Sequence, residues 1–192
     1  MKKIKYIVPI ISLFFFSGCF FSAEKIEISA IDVLKNNPDE IISEKIKCEI
    51  EKSRRVISGN SMEPMIKNKD YIWLYPDYYS VCKKNPQRGD LVAYDYSGRK
   101  IPIIKKVVAT SEDIVQMKNG KLWVNGKEEK NSGGQSYKFS DPEQKLLLMA
   151  AKKNQIPQGA LIILGDNIHN SQDSRKFGAV GVGDLLGKFE IY

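Results

Sequence analysis

The first hydrophobic segment of the chain follows a short basic stretch. Three lysines lie within the first five residues, and an uncharged, largely apolar run extends from Tyr6 to Phe21. Such a charged stretch before an apolar run is typical of an export signal. The run has 16 residues, whereas a membrane-spanning helix usually needs about 20. Residues 1–23 are therefore predicted to be an export signal or a membrane anchor, and the lysines predict that the remainder lies outside the cytoplasm.

Beyond this segment the pattern of apolar positions changes twice. Residues 24–55 are rich in lysine and glutamate and are interpreted as a charged connector. Residues 56–192 contain short apolar runs, such as "IPIIKKVVA", separated by turn residues, which predicts strands. The segment "DIVQMKNGKLWVNGK" contains two Asn-Gly pairs between apolar stretches and predicts a β-hairpin followed by a second turn.

Residues 128–158 interrupt the series of strands. The stretch "EEKNSGGQS" has the composition of a loop, and "DPEQKLLLMAAKKNQ" predicts a helix with Asp141 as its N-cap and Pro142 at its first position. Because strands predominate on both sides of this segment, the predicted fold of residues 56–192 is mainly β. We expect an antiparallel sheet that carries a small helical insertion.

Composition and charge narrow the classes of partner. The chain has 192 residues, 42% of them hydrophobic, which excludes a largely disordered protein. Its formal charge is +7, but the basic residues are dispersed rather than gathered in a basic and aromatic run. The composition therefore predicts no nucleic-acid partner and is compatible with attraction to anionic membrane lipid.

Three cysteines bear on the compartment and on metal binding. Cys48 and Cys82 can pair in an oxidising compartment, although Cys48 also fits the buried face of an alternating strand in "KIKCEIE". The sequence leaves these two alternatives open. No cysteine or histidine cluster has the spacing of a metal site, so a structural zinc is not predicted.

The segment "SGNSMEPMI" places Ser61 on a turn between glycine and proline, which suggests a nucleophile. A serine hydroxyl needs a base to remove its proton. One candidate base is His169, oriented by Asp166 or Asp173. The other is a lysine of "IPIIKKVVA", where strand alternation directs Lys105 and Lys106 to opposite faces. A free lysine has a pKa of about 10.4, and apolar burial lowers this value.

Four segments in order resemble the boxes of the type I signal peptidase family. These are "SGNSMEPMI", "RGDLVAY", "IIKKVVATSEDIVQMKNGKLWVNGK" and "GDNIHNSQDSRKFGAVGVGDLLGK". The resemblance implies a serine endopeptidase with a Ser-Lys dyad on a β-rich fold. Such an enzyme removes signal peptides from exported precursor proteins at the outer face of the bacterial membrane, without a cofactor.

The resemblance also assigns roles to individual residues. Ser61 matches the nucleophile and Lys105 the general base. Ser171 matches the serine that orients the lysine. Gly59 fits the family branch in which the oxyanion rests mainly on the backbone N–H of Ser61. The resemblance implies a structural role for four positions of the last box, namely Asp166, Asn167, Asp173 and Arg175.

Two further expectations concern the substrate and the tether. Met62 and Ile104 are expected to line shallow apolar pockets for small side chains at the first and third positions before the cut. The segment "FFSGC" resembles the lipobox of bacterial lipoproteins, with Cys19 as the residue that would be lipidated. Lipidated Cys19 or an uncleaved helix would each tether the catalytic domain to the outer side of a membrane in the cell envelope.

Departures from the family pattern leave other functions open. Met65-Ile66 and Ile168-His169 replace the usual residue pairs, which favours a specialised peptidase, for example a conjugation-associated maturation protease. A self-cleaving Ser-Lys regulator would share "GNSMEPMI", but the chain before Ser61 offers little room for a DNA-binding domain. The remaining alternative is a catalytically inactive, lipoprotein-like binding module on the same fold.

Overall fold

A computed structural model describes residues 48, 50–96, 102–149, 151 and 154–191 of the chain. The export-signal segment, Cys19 and most of the charged connector lie outside these residues. The strands are β1 (Ser53–Val56), β2 (Tyr71–Pro76), β3 (Leu91–Tyr94), β4 (Ile103–Ala109), β5 (Val115–Lys118), β6 (Lys121–Val124), β7 (Lys127–Glu128), β8 (Ala160–Leu164), β9 (Val180–Gly181) and β10 (Leu185–Ile191). The helices are α1 (Tyr78–Val81), α2 (Asp141–Met149) and α3 (Ser174–Phe177), with a 3₁₀ turn at Val182–Asp184.

The described residues form two antiparallel sheets, which confirms the predicted fold class. The larger sheet has seven strands in the order β1-β2-β10-β3-β4-β8-β9. The smaller sheet has three strands in the order β5-β6-β7. Strand β4 pairs with β3 on one side and with β8 on the other, so its two lysines lie in the middle of the large sheet. A central strand is held on both sides and gives a side chain a fixed position.

The small sheet is built from the turns that the sequence predicted. Asn119 and Gly120 connect β5 to β6, and both have positive φ, at 51° and 70°. Asn125 and Gly126 connect β6 to β7 with φ values of 53° and 78°. Two-residue hairpin loops with positive φ at both positions match the right-handed twist of the strands, which is why Asn-Gly is favoured there.

The segment predicted as an insertion contributes to the main core. Tyr137, Phe139, Leu147 and Ile156 are buried in the same cluster as the apolar residues of β4 and β8. The other members of this cluster are Val108, Ala109, Val115, Leu122, Val124, Ile162 and Leu164. Because each fully buried large apolar side chain contributes about 1.5–3 kcal/mol, we conclude that these four residues of the segment contribute to the stability of the domain.

Helix α2 begins at the predicted place, but its cap differs from the prediction by one residue. The carbonyl of Ser140 accepts the first helical hydrogen bond, from Gln144 N, at 2.9 Å. The Ser140 N–H and Oγ–H both donate to Glu143, at 2.8 and 2.9 Å. Asp141 therefore lies in the first turn, and Ser140 is the N-cap. A serine followed three residues later by glutamate is the pattern of a capping box, which the sequence analysis overlooked.

Cys48 and Cys82 form a disulfide with a Cα–Cα distance of 5.4 Å. The bond links the chain before β1 to the residue that follows α1, across a sequence separation of 34 residues. The structure thus selects the paired alternative over a free cysteine in the core. None of the helices within the described ranges combines the length and the apolar character that a membrane crossing requires.

Candidate active site

Ser61 begins a turn that lies between a glycine with positive φ and two buried apolar residues. Gly59 has φ of 102°, a conformation that favours glycine, and its N–H donates to Asn68 Oδ1 at 3.1 Å. Met62 and Ile66 are 2% and 1% exposed and belong to one core cluster. The Ile66 N–H donates to the Met62 carbonyl at 2.8 Å. Packing of Met62 and Ile66 in the core therefore fixes the turn, and Ser61 is half-buried at its start.

Lys105 reaches Ser61 from strand β4. The Lys105 side chain is 1% exposed, and its Nζ donates to Ser61 Oγ at 3.0 Å and to the Ile104 carbonyl at 2.7 Å. Ser61 and Lys105 are 44 positions apart in the chain. A nucleophile and a base within hydrogen-bond distance, with the base oriented by a third group, are the arrangement that activates a hydroxyl.

Lys106 points away from this contact, as strand alternation predicted. Its Nζ lies 3.4 Å from Glu129 Oε1, and Arg88 Nη2 lies 3.0 Å from the other oxygen of the same carboxylate. Its side chain is 14% exposed, compared with 1% for the whole of Lys105. Of the two lysines, Lys105 is therefore the one that contacts the serine.

His169, the alternative base, makes no hydrogen bond to Ser61 in the described part of the chain. Its residue is exposed, and its backbone N–H donates to Asn167 Oδ1 at 3.2 Å. The hydrogen bond of the Ser61 hydroxyl is with Lys105. The geometry therefore favours the lysine over the histidine as the proton acceptor.

Ser171 lies beside the serine turn at a close approach of two loops. A Cβ atom at Gly165 would be 2.0 Å from Ser171 Oγ and 2.6 Å from the Ser61 carbonyl, so only glycine fits between them. The Ser171 Oγ is buried and has no hydrogen-bond partner among the described residues. Its predicted hydrogen bond to Lys105 is not formed in this arrangement, and its orienting role stays a prediction.

Asn167 holds the backbone on both sides of Ser61. Its N–H donates to the Ser61 carbonyl at 3.0 Å, and its Nδ2 donates to the Asn60 carbonyl at 3.0 Å. Asn170 adds a side-chain contact, from its Nδ2 to Asn60 Oδ1 at 2.9 Å. The sequence analysis missed Asn60 and Asn170, and short polar residues in a loop give no signal by which to find such pairing.

Asp166 connects the serine turn to the segment after β7. Its carboxylate is fully buried and accepts hydrogen bonds from Met65 N at 3.1 Å, from Ser132 N at 2.9 Å and from Ser132 Oγ. Its backbone carbonyl accepts from Asn131 Nδ2 at 3.0 Å. A buried carboxylate is costly unless it is hydrogen-bonded, and here three donors satisfy it. Asn131 and Ser132 were not predicted to have a role.

Asp173 and Arg175 form a buried ion pair that contacts the loop containing Asn167. Arg175 Nη2 lies 2.8 Å from Asp173 Oδ2, and their side chains are 7% and 0% exposed. Asp173 also accepts from Gly165 N at 2.9 Å, and Arg175 Nη1 donates to the Ile168 carbonyl at 2.5 Å. Burial acts to lower the Arg175 pKa, but the hydrogen bond and charge of Asp173 outweigh it, so the pKa is raised. The pair thus holds the loop by contacts on both sides of Asn167.

The predicted substrate-contacting residues lie at different depths. Met62 is 2% exposed and packed in the core, whereas Ile104 is partly buried against the same cluster. Ile104 is therefore partly accessible from the surface, whereas Met62 is not. Their role as pocket residues stays a prediction.

Two hollows of the described surface lie away from the dyad. One, of about 560 Å³, lies between the loop at Asn85 and Pro86 and the residues around Gln155 and Gly159. The other, of about 580 Å³, lies between Arg54, Tyr71 and Ile191. Neither is lined by Ser61 or Lys105. Within the described part of the chain, no group of three or more His, Cys, Asp or Glu side chains could hold a metal ion.

Comparison with known proteins matches most of this region to one peptidase family. The profile of the family described as "Signal peptidase, peptidase S26" matches residues 46–192. Signal peptidase I of Bacillus caldolyticus is 28% identical over 144 residues, covering 72% of this chain and 78% of that protein. Signal peptidase IB of Staphylococcus aureus is 28% identical over 141 residues, covering 69% and 72%.

A solved structure is also similar. The crystal structure of a signal peptidase I from Enterococcus faecalis V583 is 26% identical, with a TM-score of 0.41. The match covers 55% of this chain and 97% of that one.

Proposed function

Because the chain belongs to the signal peptidase family of S26 peptidases, we propose that it removes signal peptides from exported precursors with Ser61 as nucleophile and Lys105 as general base. The observation that carries this proposal is the 3.0 Å contact between Lys105 Nζ and Ser61 Oγ. A surface lysine would be expected to stay charged and solvated. Lys105 is 1% exposed, and burial disfavours the ammonium form that could not accept a proton.

The proposed reaction follows from the positions of these groups. The neutral Lys105 amine accepts the Ser61 Oγ proton while the oxygen attacks the scissile carbonyl. The Ser61 backbone N–H stabilises the oxyanion that forms. The Lys105 ammonium then gives its proton to the departing amine, which leaves an acyl-enzyme. A water molecule gives a proton to the neutral Lys105 amine as it attacks the ester. The Lys105 ammonium then returns a proton to Ser61 Oγ as the ester bond breaks, which restores both residues.

The substrate is proposed to bind as an extended segment beside the serine turn and the start of β4. Main-chain hydrogen bonds would supply affinity, and shallow apolar pockets would select small side chains. Ile104 is half-buried and its carbonyl accepts a hydrogen bond from Lys105 Nζ, which suits this residue to line such a pocket. Met62 would contribute from beneath the site, since it is 2% exposed. Ser171 is proposed to orient the Lys105 amine during the reaction.

The experiment that tests this function is cleavage of exported precursors by the full chain in detergent micelles. Each precursor is compared with a version in which leucine replaces the small residues at the first and third positions before the cut. We expect one new N-terminus at that cut, seen by mass spectrometry, and little cleavage of the leucine versions. Cleavage of none of the precursors, or equal cleavage of the leucine versions, would contradict the proposal.

We also propose that the N-terminus tethers the domain to the outer side of a bacterial membrane. The lysine-led apolar run and "FFSGC" support a tether. The Cys48–Cys82 disulfide supports an oxidising compartment, because such bonds are rare in the cytosol. Mass spectrometry of the membrane-extracted protein should find diacylglyceryl-modified Cys19 or an intact Met1. A soluble, unmodified mature protein would exclude both forms of tether.

The contact between Lys105 Nζ and Ser61 Oγ also argues against the two alternative functions, an inactive binding module and a self-cleaving regulator. An inactive binding module has no need of a buried lysine against a serine hydroxyl, since burying an amine costs free energy. A self-cleaving regulator would need its own cleavage segment near Ser61. The described chain before Ser61 is instead paired in β1 with β2.

A further inference from the structure

The peptide unit that carries the Ser61 N–H is held from its carbonyl side. The Asn60 carbonyl accepts two hydrogen bonds, from Asn167 Nδ2 at 3.0 Å and from Glu63 N at 3.1 Å. The Asn60–Ser61 peptide is trans, since the one cis bond recorded in the described chain is Glu63-Pro64. In a planar trans peptide the C=O and N–H point in opposite directions. Fixing the Asn60 carbonyl therefore fixes the direction of the Ser61 N–H.

The orientation of the Asn167 side chain is itself determined by its neighbours. Its Oδ1 accepts from the backbone N–H of His169 at 3.2 Å and of Asn170 at 3.0 Å. The oxygen must face these two donors, so the NH₂ group faces the Asn60 carbonyl. The Asn167 backbone N–H holds the next carbonyl, that of Ser61, at 3.0 Å. One residue thus restrains the peptide units before and after the nucleophile.

We propose that Asn167 is a positioning residue that aims the Ser61 N–H at the oxyanion, with Asn170 supporting it through the Asn60 side chain. This inference rests on the proposed function of Ser61. Gly59 occupies the position two residues before Ser61 and has no side chain, so it supplies no second donor to the oxyanion. The direction of a single backbone donor then matters more, because a misaligned donor loses much of its strength.

The decisive variant is Asn167→Asp in the full chain. Aspartate keeps the shape of the side chain, the acceptor oxygen and the backbone N–H, but replaces the Nδ2 donor by an oxygen that faces the Asn60 carbonyl. Loss of an oxyanion donor typically costs about 10²–10³-fold in kcat, and loss of its alignment should cost less, about 10–100-fold. Because the donor acts in the transition state, KM should change by less than about threefold.

A second readout separates positioning from a general structural role. A peptide boronic acid forms a tetrahedral adduct with a serine hydroxyl, and its affinity should weaken by the same factor as kcat. Binding of an uncleaved substrate peptide to the Ser61→Ala background should not change when Asn167→Asp is added. Asn85→Asp, at an exposed position on the loop after α1, serves as the matched control. It should leave kcat, the affinity for the boronic acid and the binding of the uncleaved peptide unchanged.

Defined results would overturn the inference. These are a kcat within twofold of the wild type, or an increase in KM at unchanged kcat. If Asn167→Asp lowers the unfolding temperature, Asn170→Ala is used for the same comparison. This variant should lose two- to tenfold in kcat, with KM unchanged. An unchanged kcat in Asn170→Ala would also overturn the inference. Failure of the wild-type chain to cut any precursor contradicts the proposed function instead. In that case the amide resonance of Ser61, compared between wild type and Asn167→Asp, still tests the orientation of the peptide.

Discussion

Replacing Lys105 by methionine should reduce precursor cleavage by about 10⁴-fold or more while the protein remains folded. Knockouts of a serine or its base in other serine proteases cost factors of up to about 10⁶. Methionine has a similar length, and the Lys105 position is 1% exposed, so removal of a buried amine should not lower the free energy of unfolding. Ser61→Ala should cause a similar loss, because the two residues act as one unit. Cleavage rates and the unfolding temperature are measured on the same preparations.

The neighbouring residue provides the matched control. Lys106→Met removes the same group from the same strand, but from the side that faces Glu129. It should retain most of the activity, and so should His169→Ala. Normal cleavage by Lys105→Met would disprove the dyad. If His169→Ala abolished cleavage instead, the histidine alternative would replace it.

Removing Arg175 should have the largest effect on stability. The change Arg175→Met leaves the Asp173 carboxylate, which is 0% exposed, without its cation. Breaking a buried ion pair from one side costs about 3–5 kcal/mol, so the free energy of unfolding should fall by about that amount in denaturant titration. Asp173 also accepts from Gly165 N, beneath the Ser61 turn, so activity should fall as the loop loosens.

Lys176, the residue after Arg175, provides the control, because it belongs to an exposed ion pair. Lys176 Nζ lies 2.7 Å from Glu143 Oε1, and the lysine side chain is 54% exposed. Exposed pairs contribute about 0–1 kcal/mol, so Lys176→Met should change stability by less than about 1 kcal/mol. Equal effects of the two substitutions would show that burial of the Asp173–Arg175 pair carries no special weight.

Local features of this fold could be predicted because their causes are local. The two Asn-Gly turns need positive φ at adjacent positions, which few residue pairs tolerate, and the structure has both. Helix α2 was also predicted, although its cap was placed one residue late. Asp141 and Pro142 indicated the start of a helix in the insertion but not the burial of the insertion. Tyr137 and Leu147 are fully buried in the main core, and which surfaces they cover depends on the packing of distant strands.

The sequence by itself determined the family, the mainly antiparallel β fold and the short list of groups that could activate Ser61. It also determined that Lys105 and Lys106 lie on opposite faces, since strand alternation is a local property. Only the tertiary structure decided that Lys105 rather than His169 contacts Ser61, and that Cys48 pairs with Cys82. It alone placed Asn167 against the backbone of Asn60, 107 residues away. These contacts join segments far apart in the chain, so their geometry is set by how the sheet and loops pack and not by any local pattern of residues.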